Sequence, residues 1–329
     1  MKTSKQIAGF FILLSLCLGV DKVGTSAAKF LSIGSGAKAM GMGGAFTSIA
    51  NDASSMYWNP AGISRIAKME LFVEHSNWLA DIRYDYMGFI LPLWKSSSVG
   101  FNFISLSMPD MKVTRYGEEN TGETFRAGSY AIGTSWAMRL TDRFSIGFNG
   151  KYIREFISRS YASGIGIDVG TLFNTIYGPI LGMNISNFGT KMQMNGADLL
   201  IKTDDVSNNP DINTDLSTEQ FNLPLVMRFG ISNRHSMGEM AVLWAVDAVS
   251  PMDNSEYLNM GCEVSFFDQV FVRAGAKSVF MVDREELFTV GGGVKMSLFS
   301  HQNIQLDFAY EVMLYLNDIL KFSIRLTNI

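Results

Sequence analysis

Apolar and polar residues alternate in short runs along most of this chain, and this two-residue period limits the fold more than any other feature. In the segment Arg143–Ile153, Phe148 and Tyr152 fall on one face, whereas Asn149 and Lys151 fall on the other. About fourteen such runs follow one another between residues 67 and 329. None of these later runs has the roughly eighteen consecutive apolar residues of a transmembrane helix. The pattern therefore predicts an all-β fold.

The connections between the runs tend to alternate between short and longer. Lys95–Ser97 and Thr141–Asp142 are tight links, whereas Met108–Thr124 and Thr190–Gln220 are long. Bacterial outer-membrane barrels alternate short periplasmic turns with longer extracellular loops, and their even strand number places both chain ends on the periplasmic side. A soluble antiparallel sandwich shares the two-residue period, but its architecture does not require short and long connections to alternate. The chain is therefore predicted to form a transmembrane antiparallel β-barrel of about fourteen strands.

Composition agrees with a wall that faces lipid. Charged residues make up 18% of the 329 residues, below the roughly 25% of soluble domains, and aromatic residues reach 12%. The net charge of −4 lacks the basic excess of a nucleic-acid-binding protein. These values favour a membrane barrel and exclude nucleic acid as the expected partner.

The first residues have the pattern of a secretory signal peptide. Lys2 and Lys5 precede the apolar run Ile7–Leu16, which is too short to cross a bilayer as a helix. Cleavage is predicted after Gly19 or after Ser26, and the pattern does not choose between them. Lipidation of the cysteine that follows the apolar run is an alternative, although the leucine before that cysteine is larger than the usual lipidation pattern has.

A glycine-rich and almost uncharged stretch covers residues 30–62 and ends in a Trp-Asn-Pro-Ala-Gly turn. Glycine leaves little side-chain volume, allows positive φ and lets other backbone approach closely. The stretch lacks the bulk and the regular period of an independent core element. It is therefore predicted to lie inside a cavity built by the rest of the chain. The residues of this motif are Gly34, Gly36, Gly41, Gly43, Gly44, Asn51, Asp52, Asn59, Pro60, Ala61 and Gly62.

The segments Gly34–Phe46, Asn51–Ala53 and Tyr57–Gly62 resemble the N-terminal signature of the PorV/PorQ family of outer-membrane proteins. That family is related in architecture to the FadL-type fatty-acid channels, in which a matching segment forms a hatch that plugs a fourteen-stranded barrel. The resemblance implies three parts: a signal peptide at 1–26, a hatch or plug at 27–66 and an outer-membrane barrel at 67–329. The resemblance covers only the N-terminal part of the chain. The prediction of a barrel in the rest of the chain therefore rests on the strand pattern.

A dinucleotide-binding fingerprint is an alternative interpretation of the same glycines. Gly34–Ala39 follows a short apolar run, and Asp52 lies downstream. That fingerprint requires a βαβ unit, but here further glycines and a Trp-Asn-Pro turn follow. The hatch interpretation is favoured.

The sequence offers no catalytic motif. Neither G-x-S-x-G nor H-E-x-x-H is present, so the chain is predicted not to be an enzyme and to need no cofactor. After signal cleavage Cys262 is the last cysteine and cannot form an intrachain disulfide. The histidines at 75, 235 and 301 are far apart in sequence and lack the spacing of a zinc site.

The loop Thr203–Thr218 is rich in oxygen ligands and is the predicted partner-binding loop. A calcium site there is an alternative because Ca²⁺ takes six to eight oxygens, but the EF-hand spacing and central glycine are missing. A polar extracellular loop is the simpler interpretation, and no metal is assigned. The residues in question are Asp204, Asp205, Asn208, Asn209, Asp211, Asn213 and Asp215.

Two functions are compatible with these features. As a PorV-like protein, the chain is expected to bind secreted proteins through their C-terminal secretion domain and to work with other type IX secretion components. As a FadL-like protein, it is instead expected to be a channel for hydrophobic small molecules. A shared fold does not choose between the two, and the N-terminal motif favours the first. Both place the chain in outer-membrane lipid.

Overall fold

The computed structural model describes residues 24–328, except 95, 119, 203–212, 282–283 and 299–301. Fourteen strands of this part form a closed antiparallel barrel. Strand β1 pairs with β2 on one side and with β14 on the other, which closes the ring. The strands are β1 Glu70–Asn77, β2 Arg83–Trp94, β3 Ser97–Ser107, β4 Ala127–Arg139, β5 Phe144–Ile157, β6 Ser160–Asn174, β7 Ile180–Gly189, β8 Val226–Met237, β9 Met240–Pro251, β10 Tyr257–Phe266, β11 Val270–Val279, β12 Glu286–Ser297, β13 Asn303–Met313 and β14 Ile319–Thr327.

The fourteen strands confirm the predicted fold class and strand number. Glu70 lies opposite Thr327 in the β1–β14 pair, so the barrel begins and ends at the same rim. The turns at 140–143, 238–239 and 267–269 also lie at this rim, which we call the turn end. The loops at 108–126 and 190–225 lie at the opposite rim, the loop end.

Residues 158–159 alone connect β5 to β6, and the hairpin pairing continues to Ile157 and Ser160.

The two-residue period places polar side chains inside the barrel and apolar side chains outside. In β5, Phe148 is 39% exposed and Asn149 is 2% exposed. Successive side chains of a strand point to opposite faces, so the wall has an apolar outer surface, as expected for a barrel surrounded by lipid.

Residues 28–64 are buried almost throughout and contact the inner side of the wall. This inner segment contains a 3₁₀ turn at Lys29–Ser32, helix α1 at Ala37–Gly41, helix α2 at Ser55–Trp58 and a 3₁₀ helix at Pro60–Arg65. Helix α1 packs against β12 and β13, and the second 3₁₀ helix packs against β4 and β5. The segment thus touches opposite parts of the ring.

Glycines permit this close packing from both sides. Gly43 has φ of 65°, and a Cβ atom on it would lie 2.7 Å from the carbonyl oxygen of Met260 in β10. A Cβ atom on Gly275 in β11 would lie 2.2 Å from the backbone nitrogen of Gly43. Backbone therefore packs directly on backbone, and neither position has room for a side chain.

Helix α1 also rules out the dinucleotide-binding alternative, because it has only five residues and does not join two parallel strands. Within the described ranges, no helix is long and apolar enough to cross a membrane.

Short strand pairs and 3₁₀ turns lie at the loop end. The pairs join Met111–Lys112 to Thr124–Phe125, Met192–Gln193 to Gln220–Phe221, and Leu200–Lys202 to Asn213–Asp215. Asn195–Gly196 adds to the free end of β6, and the 3₁₀ turns lie at Leu79–Asp81 and Ala197–Leu199.

Candidate functional site

The first part of the glycine-rich motif is anchored by an ion pair of the wall. Lys321 Nζ lies 2.6 Å from Glu74 Oε1 and donates a hydrogen bond of 2.5 Å to the carbonyl oxygen of Gly34. The backbone N–H of Gly36 donates to the other oxygen of Glu74. Both charged groups are buried, where an unpaired charge is costly. Each group is paired with the other and also hydrogen-bonds to the backbone of the inner segment.

The middle of the inner segment is held by two more wall side chains. Asp247 Oδ2 accepts hydrogen bonds from the backbone nitrogens of Phe46 at 2.9 Å and Thr47 at 2.8 Å. Thr289 Oγ1 accepts one from Gly43 at 3.0 Å. Buried backbone groups outside regular structure need such partners, and here polar side chains of the strands provide them.

The Asn-Pro-Ala-Gly turn binds the end of the inner segment to the wall through hydrogen bonds. The Asn59 side-chain amide donates to the carbonyl oxygens of Thr47 at 2.8 Å and Thr171 at 3.0 Å. Its carbonyl oxygen accepts from the Ala61 nitrogen at 3.2 Å and so caps the following 3₁₀ helix. A Cβ atom on Gly170 in β6 would lie 2.1 Å from that oxygen. The turn thus joins two parts of the inner segment to the wall.

The remaining polar motif residues interact within the segment. Lys38 Nζ donates to Asn51 Oδ1 at 2.9 Å, and Asp52 Oδ1 accepts from the Ser54 nitrogen at 2.9 Å. Burial lowers the pKa of Lys38, with Glu263 and Asp52 opposing that effect. The motif residues that the sequence singled out therefore lie together in the lumen, and those with polar side chains hydrogen-bond to the inner segment itself or to the wall.

Little space remains between the inner segment and the wall near Trp58. An enclosed cavity beside Gly34, Gly44 and Trp58 has about 20 Å³, room for roughly one water. The lumen at this level is filled.

A buried charge cluster in the wall was not predicted from the sequence. Arg273 Nε lies 2.6 Å from Glu263 Oε2, and its Nη1 lies 2.7 Å from Asp307 Oδ1. All three side chains point into the barrel and are buried. Their inward positions follow from the strand period, but their pairing between β10, β11 and β13, across the intervening β12, requires knowledge of the register.

A groove opens at the loop end beside Leu199, a few residues before the predicted partner-binding loop in the chain. It has a volume of about 610 Å³ and lies between the pair that contains Phe125 and the segment that contains Met194 and Leu199. Its lining is mainly apolar, with Lys112 and Asp198 contributing charge. The sequence analysis missed it because the groove is assembled from loops that are distant in sequence.

The predicted partner-binding residues are only partly described. Asp204, Asp205, Asn208, Asn209 and Asp211 lie outside the described residues, and so does the core of the calcium alternative. The backbones of the last two, Asn213 and Asp215, pair with Lys202 and Leu200.

In the described part of the chain, no cluster of His, Cys, Asp and Glu is arranged to hold a metal ion. His75 instead lies 2.7 Å from Asp85 on the neighbouring strand. Cys262 is a free, exposed thiol.

Solved structures with the same fold are transport barrels of the FadL type. A monoaromatic hydrocarbon channel, CymD, is 14% identical, with a TM-score of 0.60 over 89% of this chain and 97% of its own. The Pseudomonas putida toluene transporter TodX is 11% identical, with a TM-score of 0.60 over 90% and 98%. A Pseudomonas aeruginosa FadL homologue is 11% identical, with a TM-score of 0.53 over 94% and 98%. Identities this low establish the fold alone.

A closed fourteen-stranded antiparallel barrel whose lumen holds residues 28–64 gives this chain the fold of the FadL-type barrels. No curated protein sequence matches it significantly. Residues 19–216 match the family described as type IX secretion system protein PorV. The chain belongs to the PorV family, and the resemblance carried by the glycine-rich motif is confirmed.

Proposed function

We propose that this protein lies in the outer membrane and receives secreted protein cargo at its loop end, within a type IX secretion pathway. Membership of the PorV family carries the proposal. The filled lumen supports it, because a folded protein has no route through a barrel whose interior is occupied by residues 28–64.

The turn end supports the membrane location. Exposed apolar or aromatic side chains occur at several of its turns, among them Leu140, Tyr177 and Phe267. Barrels of the outer membrane carry such residues at the two interfaces of the lipid. With the turn end in the periplasm, the loop end faces the cell exterior.

The groove between Phe125 and Met194 is the surface that we assign to cargo. A largely apolar depression of about 610 Å³ with charges at its border suits an extended or looped segment of a folded partner. Secreted proteins that share a C-terminal secretion domain are the expected cargo. We also assign the loop at 203–218 to the cargo surface, because its polar residues are the predicted partner-binding residues.

The division of the chain is part of the same proposal. A signal peptide at 1–26 directs export, and the hatch at 27–66 keeps the lumen closed to water while the barrel at 67–329 spans the membrane. The hydrogen bonds that Glu74 and Asp247 accept from the hatch, and the one that Asn59 donates to Thr171 O, support a fixed rather than a transient hatch.

The proposal is tested by recovering cargo with the tagged protein from gently solubilised outer membranes. Phe125→Glu combined with Met194→Glu places charge in the groove and is expected to reduce recovery of secreted proteins at least tenfold. Tyr177→Glu, a matched change at the turn end, is expected to leave recovery unchanged. Equal recovery with all three proteins would contradict the assignment of cargo to the groove.

Lipid analysis of the same samples tests the channel alternative. A hydrophobic small molecule that co-purifies with the barrel, without any protein partner, would overturn cargo handling and favour a FadL-like channel. Recovery of the chain in the soluble periplasmic fraction would overturn the membrane location.

A further inference from the structure

The inner segment begins at one rim of the barrel and ends at the other. Its last 3₁₀ helix ends at Arg65, which donates a hydrogen bond of 2.8 Å to Asn174 Oδ1 at the turn end of β6. At its beginning, the Ala28 nitrogen donates to Glu155 Oε2 at 3.0 Å, near the loop end of β5. The barrel wall itself starts and finishes at the turn end. The inner segment therefore carries the preceding part of the chain across the lumen to the opposite rim.

Residues 24–29, which we call the chain start, are bound to the loops of this rim. Ala27 N donates a hydrogen bond of 2.9 Å to Asn222 O in the loop before β8. Asp253, in the loop after β9, accepts from the Ser26 hydroxyl and lies 2.6 Å from the Nζ atom of the next lysine, at position 29. Together with β5, two separate loops therefore hold the chain start at the loop end.

The mature chain begins at or just before these contacts. Signal cleavage after Gly19 would leave residue 20 as the first residue, and cleavage after Ser26 would leave residue 27. Gly24 is exposed, and a Cβ atom on it would meet no atom within 4 Å. With either cleavage site, the first residues that contact the barrel do so at the loop end.

The residues that hold the chain start are neighbours of two openings in the loop face. Glu155 is two residues before Ile157, which lines the groove that we assign to cargo. Asn222 lines a smaller depression of about 150 Å³ together with Phe188, whose side chain is 69% exposed. A folded partner seated on this part of the loop face would therefore meet the chain start as well.

We propose that the start of the mature chain is displayed on the cell exterior and forms part of the surface that contacts secreted cargo. This inference rests on the proposed function, in which the loop end faces outward. The inner segment then has two roles, since it fills the lumen and also adds its N-terminal end to the loop face. It could withdraw toward the periplasm only after the chain start had left Glu155, Asn222 and Asp253.

The test labels single cysteines on intact cells with a maleimide-polyethylene glycol too large to cross the outer membrane. Gly24→Cys, in a Cys262→Ala background, reports on the chain start. Tyr315→Cys is the control for the cell exterior, because Tyr315 is 80% exposed in the loop between β13 and β14, away from the strands that hold the chain start. Tyr177→Cys, at the turn end, is expected to react only in lysed cells. If the mass of the mature protein shows that residue 24 has been removed, Lys29→Cys takes the place of Gly24→Cys.

We expect Gly24→Cys to react on intact cells as completely as Tyr315→Cys. The polymer attached at residue 24 is expected to reduce cargo recovery at least tenfold, whereas the polymer at residue 315 should leave recovery unchanged. A chain start that does not react while Tyr315→Cys does would overturn its display on the exterior. Full cargo recovery with the polymer at residue 24 would overturn its part in cargo contact. Failure of Tyr315→Cys to react would instead contradict the orientation in the proposed function, so the two failures are distinguishable.

Discussion

Single residues set how closely the inner segment and the wall approach each other. Inward-facing glycines of the strands meet backbone of the inner segment, as Gly275 meets Gly43 and Gly261 meets Met42. The sequence predicted that the inner glycines would need a close partner, but not which wall residues supply it. Gly261 and Gly275 are ordinary small residues in the strand pattern, and only the register shows that they face the same turn of the inner segment.

Gly275→Ala is expected to destabilise the barrel by about 1–3 kcal/mol, because the new methyl group would overpack the contact with Gly43. Gly150→Ala is the matched control, since a Cβ atom there would meet no atom within 4 Å. That control is expected to change stability by less than about 0.5 kcal/mol. Urea unfolding in lipid vesicles measures both, and equal stability of the two variants would refute the close contact.

Removing one member of a buried ion pair gives a second expectation at this scale. Lys321→Met leaves the buried carboxylate of Glu74 without its cation and is expected to cost about 3–5 kcal/mol. The double variant Lys321→Met with Glu74→Gln is expected to cost less than the single one, since no isolated charge then remains buried. Additive effects in the same urea assay would show that the two groups act independently.

Among the elements, the strands could be predicted and the loops could not. Alternation in runs such as Arg143–Ile153 located all fourteen strands, because a wall between lipid and a polar interior imposes a two-residue period. Loop structure depends on contacts between distant residues. The groove at Phe125 forms only after the barrel closes, so local sequence gives no signal for it.

Two carboxylates hold the start of the inner segment at the loop end: Glu155 accepts from the Ala28 nitrogen at 3.0 Å, and Asp253 binds the residues just before and after it. Asp253, in the loop after β9, lies 2.6 Å from Lys29 Nζ and accepts from the Ser26 hydroxyl. Ala27 N also donates to Asn222 O at 2.9 Å. Burial alone would raise the pKa of Asp253, but the bonds from Lys29 and Ser26 outweigh it, so the pKa lies below its ordinary value.

This lowered pKa predicts the pH dependence of the contact. Stability from a carboxylate with a depressed pKa is present above its unfolded value and disappears as the pH falls through the folded value. A spin label on Ala27→Cys, in a Cys262→Ala background, is expected to stay immobile from pH 7 to pH 5. It should become mobile only below about pH 4. With Asp253→Ala, it should be mobile at every pH. A label unaffected by Asp253→Ala would refute the anchor.

On the scale of the whole molecule, the barrel combines the fold of small-molecule channels with membership of a protein-secretion family. The fold places loops on one rim and tight turns on the other, while the inner segment fills the space between them. Sequence patterns established the barrel and its family. They could not establish which surface acts, because shared architecture does not determine function. Under the proposed function, the loop face is the working surface.

The most direct test of this account is to lock the inner segment to the wall and to measure surface delivery of secreted cargo. A Cβ atom on Gly88 would lie 3.1 Å from Ala53 Cβ, shorter than the roughly 3.5–4.5 Å of a disulfide, so Ala53→Cys with Gly88→Cys should cross-link on oxidation after a small local shift. The Cys262→Ala background avoids other pairings. Cargo handling at the loop face predicts equal delivery by the oxidised and reduced barrels. Delivery that stops on oxidation and returns on reduction would show that the lumen must open, and would contradict the account.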